Sequence, residues 1–489
     1  MVSVRRSLAW MAAAQGSLFV LQFVVSILVA RVLSPYEMGI FAVALSIVGV
    51  LSIFRSFGLG AYVIRAKELP APLRATVFTI NALLSLVVAL AIAGFSVLGG
   101  AVLEEPGVRH LLLFMAILPL IGIFDFLPAA GIERRGDFRT VAIVNILRYS
   151  TANISTLAMA YAGFSYMSLG YGQLISAIVA LVMNNILGRQ WITLRLGLQQ
   201  WREVTRFGTQ MLTLSAISGL QGRLADLLLA RFLGLAALGV FSRATSLTGV
   251  LWDNLHIVVL RVLFVDFAEQ RRQGRSLRHS YLRLTRMLTG FLWPAFIGMA
   301  VLSGPIVIQL LGDPWAEAIL PLSILAVSAA LFVLIMVSHD VFVICNQTGL
   351  RTRLELIRAP VSLALFAMGC WISLPAAAAM KVVEAIIMVL MYRPHLERMT
   401  DTRWADYLPI YGQSALLTTA AVLPAAAVMT AHGWSAHIPF PLVLAGVGTG
   451  IMAWCVVLWA TRHPLFDEMR RFVSQLRSAR AAPSAPPAR

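Results

Sequence analysis

Long apolar runs alternate with short polar connections along this chain, and that alternation predicts its elements. A helix that crosses the hydrocarbon of a bilayer needs roughly 20 predominantly apolar residues. Six runs of about that length lie at 8–31, 37–59, 76–100, 109–131, 138–162 and 166–187. Six more follow at 207–232, 236–262, 285–311, 316–344, 354–374 and 375–392, and a final two at 407–430 and 438–461. The pattern predicts an all-α, polytopic membrane protein of about 14 transmembrane helices.

One stretch recurs. Leu28 to Leu51 reads LVARVLSPYEMGIFAVALSIVGVL, and Leu228 to Leu251 reads LLARFLGLAALGVFSRATSLTGVL. Without a gap the copies share Ala30/Ala230, Arg31/Arg231, Leu33/Leu233, Gly39/Gly239, Phe41/Phe241, Ser46/Ser246 and Gly49/Gly249. Solenoid units repeat every few tens of residues, so a repeat this long marks halves of a molecule. Like halves in a membrane protein usually enclose a transport path. The expected organisation is two pseudo-symmetric six-helix bundles, 1–203 and 204–393, two additional helices in 394–461, and a basic tail, 462–489, whose Ala/Pro-rich end reads as disordered.

Composition narrows the class. Of 489 residues, 59% are hydrophobic and 12% charged, with a mean hydropathy of +0.83. Soluble domains carry roughly 25% charged residues, so an ordinary soluble protein is excluded. Cys345, Cys370 and Cys455 lie in apolar runs without metal spacing and read as buried, inert thiols. The start resembles a signal peptide, with Arg5 and Arg6 before an apolar stretch. That stretch runs on to about Ala30 with no clean cleavage site, which fits a retained first helix.

The net charge of +17 would suit nucleic acid, but its distribution points to the membrane surface instead. In alternate connections and the two ends, one side collects 30 of the 39 basic residues, and the other has only Arg31, Arg109 and Arg231. The positive-inside rule then places both termini in the cytoplasm. In 266–286, Leu277, Tyr281, Leu284 and Leu288 share one face with arginines around it. Two readings stand: a helix lying along anionic headgroups, or the foot of the ninth span. No connection is long enough for a soluble catalytic domain, and there is no Walker loop, dinucleotide fingerprint or zinc spacing. The chain is read as a non-enzyme, with no cofactor and no metal.

Charges within spans are costly and mark a path or a partner. Arg223 and Asp226 stand three apart, as do Lys381 and Glu384, so each pair shares a helix face and is expected to neutralise itself. Asp125 and Asp253 are further candidates for coupling or structural charge. Arg55, Arg148 and Arg243 have no acid within helical reach on their own spans, and Arg148 is placed to face Asp125 of the preceding helix. Their guanidinium groups suit an anionic cargo, because the planar fork pairs with phosphate through two bonds. A structural partner on another helix is the competing explanation. Gln15, Gln22, Asn81, Asn145, Asn153, Gln173, Asn184 and Asn185 fit interhelical hydrogen bonds or a hydrophilic lumen.

The run from Ala30 to Arg65 resembles the first loop and second helix of bacterial polysaccharide transporters, the Wzx-like oligosaccharide-lipid flippases of the multidrug/oligosaccharidyl-lipid/polysaccharide superfamily. The matching residues are Ala30-Arg31-x-Leu33-Ser34-Pro35, Gly39-x-Phe41 and Gly58-Leu59-Gly60, with Arg134-Arg135-Gly136-Asp137-Phe138-Arg139 after the fourth span. The family often has an acid just before Phe-Gly-Leu-Gly, where this chain has Ser56. The resemblance implies alternating access with a cationic central cavity that includes Arg55. It also implies a polyprenyl-pyrophosphate-linked oligosaccharide as substrate, moved from the cytoplasmic to the periplasmic leaflet of the bacterial inner membrane. Membrane lipids, and a polysaccharide polymerase with its chain-length machinery, are the partners it suggests. A cation-coupled drug exporter of the same superfamily is the nearer rival, favoured by a carboxylate in the first span, which has none between Leu8 and Ala30. An intramembrane polysaccharide ligase or polymerase is the further one, and it would carry a large outer loop with clustered acids or histidines.

Overall fold

The computed structural model describes residues 4–470 apart from 56, 104, 274, 467 and 469. Packing divides the chain into two units, Met1–Ser242 and Arg243–Arg489. The first contains α1 (Val4–Val32), α2 (Pro35–Arg55), α3 (Leu59–Arg65), α4 (Ala71–Leu103), α5 (Pro106–Met115), α6 (Ile117–Arg134), α7 (Phe138–Tyr161), α8 (Met167–Leu187), α9 (Trp201–Leu233) and the opening turns of α10 (Leu235–Arg272). The second holds the rest of α10, then α11 (Arg278–Val301), α12 (Ser303–Leu310), α13 (Ile319–Phe332), α14 (Ser338–Ile344), α15 (Thr348–Ile372), α16 (Leu374–Thr400), α17 (Trp404–Ala431) and α18 (Phe440–Ala460). Among the described residues, eleven helices are long and apolar enough to cross a membrane. The fold is all-α, and all fourteen predicted runs are helical over most of their length.

Where the helices differ from the sequence reading, proline and glycine give most of the reasons. The run 109–131 bends at Ala116 because Pro119 cannot donate to the carbonyl four residues back. Pro305 does the same to 285–311, which breaks at Leu302. The run 37–59 ends at Arg55, and Gly58 turns left-handed with φ 66° before α3 begins. The predicted division at Pro375 is present: Ser373 accepts from the Ala376 N–H at 3.2 Å and Pro375 sits in the first turn of α16.

The segment 266–286 resolves in favour of the foot of a span. Leu277, Tyr281, Leu284 and Leu288 are only 2%, 2%, 1% and 4% exposed and belong to the core of the second unit, so this stripe does not face headgroups. All three cysteines are free.

In the first unit the repeated stretch packs on its own copy. A Cβ at Gly39 would overlap the Leu235 carbonyl, and one at Gly239 would overlap the Pro35 carbonyl. The two glycines are equivalent in the repeat, as are positions 35 and 235, so the contact is reciprocal. Only glycine lets the two backbones come this close.

Candidate functional site

Ser34-Pro35-Tyr36-Glu37 fixes the start of α2 as a capping box. The Ser34 N–H donates to Glu37 Oε2 at 2.7 Å, and the Glu37 N–H donates to Ser34 Oγ at 3.3 Å. Ser165, before α8, donates to the same carboxylate, which ties this end of α2 to the α7–α8 turn.

At the other end of α2 stands Arg55. Its position in the last turn suits a cation, because the helix carbonyls there carry partial negative charge. The guanidinium passes over Gly122 of α6, where a Cβ would collide with Nη1. One turn on, Asp125 lies within electrostatic reach of both Arg55 and Arg148. The structure therefore brings together three residues singled out from the sequence, from α2, α6 and α7.

Asn184 of α8 holds the acid in place. Asn184 Nδ2 donates to Asp125 Oδ1 at 2.8 Å. Pro128 leaves the Phe124 carbonyl without its helical donor, and Asn185 Nδ2 supplies one at 3.2 Å. On α4, buried Asn81 donates to the Gly122 and Ile123 carbonyls at 3.3 and 3.4 Å. Arg148 Nε donates to Ser176 Oγ at 3.2 Å, and its guanidinium lies over the Tyr149 ring. The sequence shows Asn81, Asn184 and Asn185 only as part of a general polar theme, and Ser176 carries no signal. Asn185 stands 61 residues from the carbonyl that Pro128 leaves free, a separation at which one sequence displays no pattern.

Among the described residues, no ion pair within 4.0 Å joins Asp125 to Arg55 or Arg148, and Arg55 has no hydrogen-bond partner. Two guanidinium groups thus face one carboxylate already engaged by an amide. The cluster has a formal excess of one positive charge and unused N–H donors, suited to a phosphate or pyrophosphate group.

The other charges have different surroundings. No ion pair within 4.0 Å joins Arg223 to Asp226 among the described residues, contrary to the expectation from their spacing. Ser46 Oγ of α2 donates to Asp226 at 2.7 Å, and Arg223 lies along Gly49, so α2 meets each residue separately. In the second unit Lys381 pairs with Glu384 at 2.9 Å, and Arg358 joins Glu384 at 3.2 Å and Glu355 at 2.7 Å. Arg243 begins the second unit, on α10. The side chain of Asp253 lies outside the described residues, as do Ser56 and the side chain of Gln15.

The basic motif after the fourth span is structural. Arg134 donates to the carbonyls of Val63, Ala66 and Lys67 at the end of α3. Asp137 caps α7, accepting from the Thr140 N–H at 3.1 Å and its hydroxyl at 2.7 Å.

Such a helical assembly defines a multi-pass membrane protein, and known structures share its fold. "Lipid II flippase MurJ, inward closed conformation" superposes with a TM-score of 0.74 at 12% identity, over 94% of this chain and 99% of that one. An inward-facing multidrug resistance MATE family transporter of the MOP superfamily gives 0.55 at 15% identity, over 79% and 96%. The family is set by sequence. The family model described as "Polysaccharide biosynthesis protein" matches residues 28–320, and the chain belongs to that family. It is 27% identical over 327 residues to the succinoglycan biosynthesis transport protein ExoT of Rhizobium meliloti, covering 67% of this chain and 66% of the relative. It is 25% identical over 320 residues to the lipopolysaccharide biosynthesis protein WzxC of Escherichia coli, covering 65% of each. The chain thus matches slightly under two thirds of the length of these two relatives.

Proposed function

We propose that this protein is a flippase for a polyprenyl-pyrophosphate-linked oligosaccharide, a surface polysaccharide precursor, carried from the cytoplasmic to the periplasmic leaflet by alternating access. The observation that carries the reading is the Arg55–Asp125–Arg148 cluster, with excess positive charge inside apolar helices. Membership of the polysaccharide biosynthesis family supports the substrate class, as do the names of the relatives. Arg55 and Arg148, neither in an ion pair among the described residues, favour a pyrophosphate over a cationic drug. In this reading the chain has fourteen spans with both termini cytoplasmic, in the bacterial inner membrane, and its halves follow the repeat at 1–203 and 204–393 with 394–461 added. Arg148 binds the same anionic group as Arg55, and Arg243 contributes from the second copy of the repeat. A polysaccharide polymerase and its chain-length machinery take up the product.

Asp125 has a positioning role here. It holds the two guanidinium groups near each other without forming a closed pair with either, and Asn184 keeps it oriented.

The test measures export and membrane abundance together. Arg55→Ala is expected to abolish surface polysaccharide export while the protein stays at normal abundance. Arg55→Lys should recover only part of the activity, because a point charge lacks the two-pronged geometry. Normal export by well-expressed Arg55→Ala protein would remove Arg55 from the site. Loss of abundance with loss of export would instead make it a structural partner of Asp125.

A further inference from the structure

Between α8 and α9 the chain runs without helix or turn from Ile192, whose backbone is extended, to Leu198, after a short 3-10 turn at Arg189–Trp191. Its side chains alternate. Ile192, Leu194, Leu196 and Leu198 are 44%, 67%, 76% and 55% exposed. The residues between them face inward at two of three places. The Gly197 N–H donates to Thr79 Oγ of α4 at 3.0 Å, and a Cβ at Gly197 would stand 3.2 Å from the Ala75 Cβ. Thr193 borders a small cleft with Phe78, Ile123 and Asn185, which Ile192 and Leu194 also touch while staying largely exposed. The segment is held to α4 by its polar side and shows its aliphatic side outward.

Two further observations say what that side meets. One turn beyond Thr79, Leu83, Leu86, Val87 and Leu90 form an exposed apolar stripe on α4, at the spacing of one helix face. In a membrane-spanning helix that stripe faces lipid tails, and the exposed leucines continue from its end. Basic residues accompany the segment: Arg189, Arg195 and Arg202 in sequence, and Arg74 of α4, whose guanidinium donates to the Gln190 carbonyl at 3.3 Å. No acid lies between Gly188 and Arg202. Aliphatic side chains interleaved with arginines, at the end of a lipid-facing stripe, match the boundary between acyl chains and anionic headgroups.

We propose that residues 192–198 form an interfacial strap, with Ile192, Leu194, Leu196 and Leu198 inserted into the leaflet and the flanking arginines on anionic lipid phosphates. The proposal rests on the chain being a multi-pass membrane protein and is independent of the flippase reading. The strap fixes the connection between α8 and α9 to the bilayer surface.

The test places a single label on the strap. Leu196→Cys, with Cys345, Cys370 and Cys455 changed to Ser, is labelled with bimane and reconstituted in phosphatidylcholine nanodiscs with and without phosphatidylglycerol. Gln199→Cys provides the water-facing reference. The label at 196 is expected to emit to the blue of that reference, to be quenched by lipids brominated near the headgroup, and to resist aqueous iodide. Adding phosphatidylglycerol should strengthen all three effects, and Arg195→Ala with Arg202→Ala should remove that increment. Emission and iodide quenching equal to those at 199, with no quenching by brominated lipid, would overturn the proposal. Where the cysteine-free protein does not fold, hydrogen exchange of 192–198 in the unmodified protein reads the same point. Exchange should slow several-fold as phosphatidylglycerol is added, and exchange insensitive to lipid charge would also overturn it.

Discussion

Charged residues within apolar helices resolve in two ways here, and the spacing along one helix foretells only one of them. Lys381 and Glu384, three apart on α16, do meet at 2.9 Å, and the sequence made that pair legible. Arg223 and Asp226 have the same spacing on α9, yet each is met by α2, through Gly49 and Ser46. Partners from a second helix are invisible to periodicity, although conservation of Ser46 and Gly49 between the two copies of the repeat hints that they serve a common packing role. Glu384 is the most demanding of these acids, buried and shared by Lys381 and Arg358. Removing one member of a buried network leaves the others charged and unpaired, at roughly 3–5 kcal/mol. Glu384→Ala is therefore expected to lower the thermal stability of the purified protein sharply, and Glu384→Ala with Lys381→Met should recover part of that loss. A Glu384→Ala protein as stable as the wild type would mean that the network contributes nothing to the fold.

At the scale of elements, helix existence was legible throughout and helix ends only where proline or glycine marks them. Pro119, Pro305 and Gly58 each explain a break that a purely apolar run hides. The segment 266–286 shows the limit of amphipathic reasoning: a stripe of Leu277, Tyr281, Leu284 and Leu288 fits a bilayer surface and a protein core equally, and the neighbours decide. The sharpest element-level contact is the reciprocal one at Gly39 and Gly239, where the opposing atoms are backbone carbonyls and cannot rotate away. Gly39→Ala and Gly239→Ala are each expected to destabilise by about 1–3 kcal/mol, the usual range for overpacking. Gly49→Ala should be milder, because its neighbour is the flexible Arg223 side chain, and Gly222→Ala, with nothing within 4 Å, should be harmless. Thermal unfolding of the four variants orders them. Equal effects at Gly39 and Gly222 would show that the close approach is not required.

For the whole molecule, the apolar runs carried the membrane class from sequence and the motifs at Ala30–Arg65 and Arg134–Arg139 carried the resemblance to the family, while the number of crossings is a separate question. Eleven described helices pass on length and hydropathy alone, and α7 is not one of them. The reason is visible in its sequence: Asn145, Arg148 and Asn153 dilute the apolar run, and Arg148 belongs to the polar cluster with Asp125. A helix that carries part of a polar site falls below a hydropathy threshold because of its role, so α7 is expected to cross. Reporter fusions separate the cases. Fusions after Gly136 and after Gly163 bracket α7 and should report opposite sides, with Gly136 cytoplasmic, since 30 of the 39 basic residues gather on its side. Fusions after Arg195, Arg275 and Arg403, each in a connection between helices, should all read cytoplasmic as well. The same side for Gly136 and Gly163 would make α7 a non-crossing helix. It would also put every later connection on the opposite side from the one its arginines favour, so a consistent outward reading at Arg195, Arg275 and Arg403 is the outcome that ends the fourteen-span proposal.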